Sequence, residues 1–432
     1  MPGAKHLNTV LIMEKKTNVP KLRFPEFEGE WEKGKLDEFA EFKAGYAFKS
    51  ELMLATKSNY QILKMSNVYQ NELRLDRSPS YWEINDDKQK EFLLKKGDTI
   101  LTLTGTVGKR DYGYSVMINE DNKYLLNQRL VLLREIERKS NSGFINYLLS
   151  TEKFLFYFFL DAKGGTGNQT NVSTEDVKNI CLNFPTLSEQ AKIASFLTAV
   201  DDKLTQLKKK KSLLEEYKKG VMQKIFSQEL RFKDDNGEDF PEWEEKRLGD
   251  ILIEHKTRNK NNDVQEVFSV AKNKGVINQI EHLGRSYASQ DVSNYKVVFP
   301  NDVIYTKSPT SDFPFGIIKQ NKLERTGIVS VLYGVFTPIN KNVGLLLDYY
   351  FSEWRNTYNY LNPLVQKGAK NTMNISNDDF LNGAELSLPL SDREQTKIAN
   401  FLSAIDEKIN HCSKHIERME DWKKGLLQQM FC

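Results

Sequence analysis

Three cysteines in 432 residues, at positions 181, 412 and 432, are too few and too scattered for a disulfide framework or a structural zinc site. Histidine is equally sparse: there are five, two of which (His411 and His415) fall on a long helical pattern, so a histidine general base is not expected. No apolar run approaches the roughly 20 residues that span a bilayer, and the stretch from Leu7 to Met13 is too short for a signal peptide. A cytoplasmic protein with no membrane partner is the expectation. Charge of one sign is also lacking, since 62 Lys and Arg against 59 Asp and Glu leave a net +3. That balance permits contact with nucleic acid without the footprint of a nonspecific binder.

Catalytic signatures are missing as well. Gly105-Thr-Val-Gly108-Lys109-Arg110 looks like a phosphate loop, but it lacks the G-x-x-x-x-G-K-[ST] spacing and the hydroxyl that would hold magnesium. It reads as a tight turn after a strand. The chain has no G-x-G-x-x-G opening a helix, no H-E-x-x-H and no G-x-S-x-G. Asn362-Pro363-Leu364 shares only the first two residues of the Asn-Pro-Pro-aromatic motif of adenine methyltransferases. No metal site, no catalytic residue and no cofactor bound by this chain are expected.

What the chain does have is a duplication. Gln190-Ala-Lys-Ile-Ala-Ser-Phe-Leu-Thr-Ala-Val-Asp-Asp-Lys-Leu204 returns as Gln395-Thr-Lys-Ile-Ala-Asn-Phe-Leu-Ser-Ala-Ile-Asp-Glu-Lys-Ile409, and the match continues to Phe226 and Phe431. A repeat of about 200 residues is a duplicated domain, far longer than a solenoid period. Other landmarks keep the same order. Leu22-Arg23-Phe24-Pro25-Glu26-Phe27 with Trp31 and Leu36 is echoed by Leu230-Arg231-Phe232, Phe240-Pro241-Glu242-Trp243 and Leu248. Strand patterns at 60–67 and 96–102 parallel those at 267–273 and 300–306. Each copy then has an aromatic helix (144–160; 346–361), a polar loop, and a strand ending in Pro185 or Pro389. These are mixed α/β bodies of roughly 150 residues.

The segments after those prolines are different in kind. Ser188 with Glu189, and Ser391 with Glu394, read as N-caps with capping-box partners. Ile193, Leu197, Val200, Leu204, Leu207, Leu214 and Val221 then alternate spacings of four and three, with Lys211 and Lys218 on the same seam. The second copy repeats this with Ile398, Leu402, Ile405, Ile409, Ile416, Met419 and Leu426, interrupted by Lys423. Both are heptad seams, and two apolar seams in one chain are most economically satisfied by pairing with each other, antiparallel. The seam lysines either set the register or snorkel from the helix surface. Asp201-Asp202 and Asp406-Glu407 are assigned to the first turns, where carboxylates favour the helix dipole.

The fold class is therefore mixed α/β, with two globular domains in tandem and two long helices forming an intramolecular antiparallel coiled coil. Boundaries are placed at 1–19 for an N-terminal extension expected to be disordered, 20–186 for the first domain, 187–227 for the first helix, 228–390 for the second domain and 391–432 for the second helix. Both domains carry polar, cationic and glycine-rich loops. In the first, the candidates for contact with nucleic acid are Lys43, Tyr46, Lys49, Lys64, Asn67, Thr104, Thr106, Lys109, Arg110, Asn127-Gln128-Arg129, Lys163, Asn168 and Gln169. In the second they are Lys256, Arg258, Asn259, Lys260, Lys272, Asn273, Lys274, Lys307, Ser308, Thr310, Lys367, Lys370 and Asn371. Arg and Lys suit guanine, Asn and Gln suit adenine, and glycine lets backbone amides approach phosphate. Each residue alone fits a solvated surface better than base reading; only recurrence at corresponding places in two copies raises the case.

The pattern closely resembles the specificity subunit of type I restriction-modification systems. The residues carrying the resemblance are the Leu-Arg-Phe-Pro-Glu-Phe opening, Gly97-Asp98 with Thr104-Gly105-Thr106-Val107-Gly108-Lys109, Leu126-Asn127-Gln128-Arg129, and the Glu-Gln-x-Lys-Ile-Ala-x-Phe-Leu start of each long helix. The resemblance implies two target recognition domains, each reading half of a split, asymmetric sequence in double-stranded DNA. It implies helices that set the gap and dock two adenine methyltransferase subunits, with restriction subunits joining and no catalysis in this chain. S-adenosylmethionine, ATP and magnesium would belong to the partners. The second domain departs from the family's glycine-rich turn at Ser308-Pro309-Thr310. A coiled-coil adaptor binding protein, or a self-contained methyltransferase or nuclease, are the alternatives. If the helices act as a ruler, inserting four residues (about one turn) in the first should lengthen the unread gap seen in a methylation map and leave both half-sites unchanged. A change in the bases recognised would sink the ruler.

Overall fold

In the computed structural model, residues 18–432 are described apart from 161, 165–167, 289 and 368–372. The extension expected at 1–19 lies almost wholly outside them. The chain divides into two compact units, Met1–Lys208 with Lys414–Cys432, and Lys209–Ser413. Both long helices, Leu187–Phe226 and Asp392–Gln429, are shared between the units, so each unit contains one globular body and part of each helix.

The first unit is built on a four-stranded antiparallel sheet in the order Ala40–Ala44, Leu130–Glu135, Thr99–Thr102 and Ser115–Met117. Thr99–Thr102 is buried along its whole length, which is why that segment reads as a continuous apolar and threonine run. A second sheet sets Tyr124–Leu126 parallel to Tyr60–Leu63, with Tyr81–Trp82 on the other side. The second unit repeats the main sheet with Leu252–Glu254, Gly334–Pro338, Val303–Thr306 and Ile317–Gln320 in the same spatial order. In both units the first strand pairs antiparallel with the strand that leads into the long helix: Glu32–Lys35 with Cys181–Phe184, and Glu244–Arg247 with Glu385–Leu388.

The aromatic helix expected at 144–160 is two helices, Ser142–Leu148 and Glu152–Leu160. Thr151 makes the break: its hydroxyl donates to the Leu148 carbonyl (2.7 Å) and accepts from the Phe154 amide (3.2 Å), a side-chain cap in place of helix continuation. The counterpart at 346–361 is likewise divided, into Lys341–Tyr350 and Trp354–Leu361.

The capping boxes assigned to Glu189 and Glu394 are not what those carboxylates do. The first helix begins at Leu187, so Ser188 lies inside its first turn. Glu189, 1% exposed, accepts from Arg23 Nε and Nη2 (both 2.8 Å) and from Trp31 Nε1 (3.2 Å). Ser391 does precede the second helix, but Glu394, 0% exposed, accepts from Arg231 and from Trp243 Nε1 (3.2 Å). A charge-assisted bidentate partner from the opening segment outcompetes a local backbone amide. The next residues are used alike: Gln190 and Gln395 donate to the carbonyls of Pro185 (3.0 Å) and Pro389 (2.9 Å).

Within each unit the two helix portions run antiparallel. In the first, Asp201 pairs with Lys423 (2.6 Å) while Lys208, further along, pairs with Glu420 (2.8 Å), earlier in the partner helix. In the second, Lys218 pairs with Asp406 (2.6 Å), and Val221, Met222 and Ile225 pack in one cluster with Ile398, Leu402 and Ile405. Among the seam residues, Ile193, Leu197, Val200, Leu204, Val221, Ile398, Leu402, Ile405, Ile416 and Leu426 are buried, and Leu207, Leu214, Ile409 and Met419 half-buried. Asp201 and Asp406 sit several turns into their helices, which corrects their assignment to the first turns. Each carboxylate instead accepts a tyrosine hydroxyl, Tyr147 or Tyr349 (2.8 Å), and faces the seam lysine of the other helix. Burial beside an aspartate pushes both phenols above the ordinary tyrosine range. The lysines also lie over those rings, Lys423 on Tyr147 (5.6 Å) and Lys218 on Tyr349 (4.8 Å). Lys211 pairs within its own helix with Glu215 (3.8 Å).

Candidate nucleic-acid interface

In the first unit, backbone bonds gather segments far apart in sequence onto one edge of the sheets. The Tyr46 amide donates to Leu126 O (3.0 Å), Gln128 N to Tyr46 O (2.8 Å), Leu103 N to Arg129 O (3.0 Å), and Val172 N to Leu103 O (2.9 Å). Beside Leu103, the strand Thr104–Thr106 pairs with Gln169–Asn171, placing Gln169 opposite Thr106, and Gln169–Asn171 pairs in turn with Lys163–Gly164. The edge thus joins Tyr46, Gln128, Arg129, Thr106 and Gln169. Gly45 and Gly105 are needed for the close approach: a Cβ would meet Asn127 O at 1.9 Å and the Tyr112 ring at 2.2 Å.

Several candidates are committed elsewhere. Asn67 is 0% exposed; its carboxamide accepts from Lys64 N (2.9 Å) and donates to the carbonyls of Arg74 (2.9 Å) and Arg77 (2.8 Å). Thr104 is buried with its hydroxyl on Asn171 Oδ1 (2.9 Å). Asn259 is buried too, its amide bonding Val264 O (2.8 Å). These three hold loops together and are unavailable to DNA in this conformation; the pattern that singled them out, a polar residue at a strand end, is the same for a loop staple and a base reader. Lys43 is engaged by Glu91 (3.2 Å), Lys64 by Ser80 (2.8 Å), and Arg110 by Glu152 (3.3 Å) over the Phe159 ring. Tyr46 is half-buried and packs on Phe48 and Phe92. Thr106 donates through its amide (2.8 Å) and hydroxyl (2.6 Å) to Asp111, which holds that carboxyl below its usual range. Lys49, Lys109, Asn168 and Gln169 are exposed. The Lys163 side chain is outside the described residues.

The second unit presents a different edge on the same frame. Lys256, Arg258 and Lys260 are exposed on the segment after Leu252–Glu254, with Arg258 donating to Asn294 O (2.6 Å). Arg258 forms a β-bridge with Lys296, a buried lysine that the sequence reading missed. Lys296 Nζ donates to Tyr333 O (2.6 Å), and burial, aided by Arg258, Lys307 and Lys256, lowers it below the ordinary lysine range. No signal flags it, because it sits within a Lys-Val-Val strand that reads as core. Lys307, half-buried where the strand Val303–Thr306 ends, is lowered by burial as well. Beyond it Ser308 and Thr310 are exposed, the Phe313 amide donating to Thr310 Oγ1 (3.2 Å), and among the described residues no strand equivalent to Thr104–Thr106 forms. Proline at 309 offers no amide for such a ladder. Lys272 pairs with Asp312, while Asn273 and Lys274 are exposed. Lys370 and Asn371 lie outside the described residues, as does the Lys367 side chain.

Among the described residues no three His, Cys, Asp or Glu side chains cluster to hold a metal, and no helix is long and apolar enough to cross a membrane. The chemistry on both edges is hydrogen-bond donation, amide pairing and positive charge on loops carried by a stiff frame, groups that suit contact with a polyanion.

The chain is similar to known proteins over nearly its whole length. Residues 28–216 match the family model of the type I restriction modification DNA specificity domain. A protein of Methanocaldococcus jannaschii assigned as the specificity subunit of type I restriction enzyme MjaX is 25% identical over 442 residues, 97% of this chain and 96% of that one. The type I restriction enzyme MjaVIII specificity subunit of the same organism is 27% identical over 236 residues, 54% of this chain and 53% of that one. The type I restriction-modification S subunit from M. genitalium shares the fold, with a TM-score of 0.58 at 16% identity, covering 96% of this chain and 99% of that chain. Residues 28–216 thus match a type I restriction modification DNA specificity domain, and the chain is similar along nearly its whole length to a type I specificity subunit.

Proposed function

We propose that this chain is the noncatalytic DNA-reading subunit of a type I restriction-modification complex, each unit reading one half of a bipartite, asymmetric target. The observation that carries the reading is two sheets of the same strand order whose edges differ in chemistry. Threonine and amide groups on a three-stranded projection line the first, while a lysine-rich, proline-interrupted loop lines the second. Units that shared both frame and edge would read the same sequence twice. The paired long helices serve as spacer and as the docking surface for two adenine methyltransferase subunits, to which restriction subunits then bind. S-adenosylmethionine, ATP and magnesium are handled by those partners.

The test is to express the chain with its adenine methyltransferase partner and map methylated adenines across a genome. A split motif with a fixed gap is expected. A continuous motif would mean that one unit does not read DNA, and a stable complex without methylation would favour a coiled-coil adaptor.

A further inference from the structure

Resting on that reading, we propose that Arg129, presented together with Gln128, is a specificity-determining residue of the first unit and reads a guanine edge. Three independent features single it out. Its backbone is left-handed (φ 70°), a conformation costly for an arginine, since the short polar Asn and Asp are the side chains that tolerate it. Asn127, two positions before it, carries a buried Oδ1 with no hydrogen-bond partner among the described residues. Unrelieved strain and an orphaned acceptor two positions apart in one turn are the kind of cost a fold keeps where direction matters.

The backbone around them is nonetheless held firmly. Gln128 N and Arg129 O are both in backbone hydrogen bonds, to Tyr46 O and from Leu103 N, and Leu130 N closes the turn on Asn127 O (3.3 Å). The side chains are the opposite: Gln128 and Arg129 are exposed, and neither makes a hydrogen bond or ion pair with the described residues. Arg23, Arg110 and Arg134 in the same unit all have carboxylate partners. A free guanidinium on a rigid, strained turn offers two parallel donors in a set direction, the geometry that guanine O6 and N7 accept. A phosphate contact needs charge but little direction, so the strain would serve no purpose there. In the second unit the segment before the matching strand exposes Val331 and Leu332 instead, so the feature belongs to one half-site.

The experiment uses the full chain assembled with its methyltransferase partner, comparing wild type, Arg129→Gly and Arg129→Lys. Glycine relieves the left-handed backbone, so Arg129→Gly should melt at the same or a higher temperature than wild type. Its affinity for the wild-type target should nevertheless fall roughly 10- to 100-fold, the range of a lost bidentate base contact, and one position in one half of the methylation motif should become degenerate. Arg129→Lys should keep the salt dependence of binding and still relax that position. An unchanged motif overturns the proposal, whether binding is intact or is weaker at every sequence with a salt slope reduced by about one, as for a phosphate contact. If wild type itself yields no split motif, the parent reading fails instead.

Discussion

Replacing Glu189 with alanine should destabilise the first unit by about 3–5 kcal/mol, the range for breaking one side of a buried ion pair. The carboxylate is closed off from water and satisfies three donors at once, two from Arg23 and one from the Trp31 indole. Without it the guanidinium, whose side chain is 14% exposed, and the indole N–H are left buried with poorer partners. Trp31 also stacks edge-on to Phe144 and Phe431, so its displacement would open the core between the globular body and the chain's last residues. Glu394→Ala should do the same in the second unit through Arg231 and Trp243. Hydrogen exchange followed on peptides from each unit separates the two effects. A loss below about 1 kcal/mol, the value of an ordinary neutral hydrogen bond, would show that the cluster does not lock the opening segment to the helix.

The second large effect is expected from Asp348→Ala. Asp348 and Lys319 are both buried, with Asp348 also bound to Lys322 (2.6 Å) and to the Gln320 amide (3.1 Å), while Lys319 donates to Ser352. Removing the carboxylate strands a lysine in the core of the second unit, again at a cost of about 3–5 kcal/mol. The first unit shows the neutral alternative. Asn146 stands at the place of Asp348, one residue before the tyrosine that meets the long helix, and Val116 stands at the place of Lys319 in strand register. The double variant Lys319→Val with Asp348→Asn should therefore be more stable than Asp348→Ala alone. Equal destabilisation in urea would refute this.

The pair also fixes the sign of the pH dependence. Burial would raise the Asp348 carboxyl, but Lys319 and Lys322 outweigh it and hold it below the usual range. Its contribution is present above the ordinary aspartate pKa, and it is lost as pH falls through the lowered folded value. Lys319 is pushed below the usual lysine range by burial, against the pull of Asp348. Between that lowered value and the unfolded one the unfolded chain holds more protons, so stability should rise with pH there.

The residues that sequence reasoning misassigned share one property. In sequence Glu189 fits a local capping box, but its arginine lies 166 positions away. Asp201 fits the helix dipole, and its cation comes from the other helix. Asn67 fits a contact with DNA, and its amide is consumed by its own loop. In each case the residue type was read correctly as polar and important, but its partner could be found only in three dimensions. The aromatic helices were placed correctly but as single elements, because the hydroxyl of Thr151 that interrupts the first looks no different in sequence from one facing solvent.

By itself the sequence determined the duplication, the α/β character of each half and the two heptad seams. Those properties are periodic or repetitive along the chain, and burial of an apolar face follows from spacing alone. Only the tertiary structure decided which side chains are spent internally and which remain free at the edge. A buried polar group must find a partner wherever the fold brings one, so which donors are left over for DNA depends on contacts among residues scattered from Tyr46 to Gln169, and spacing along the chain carries no record of them.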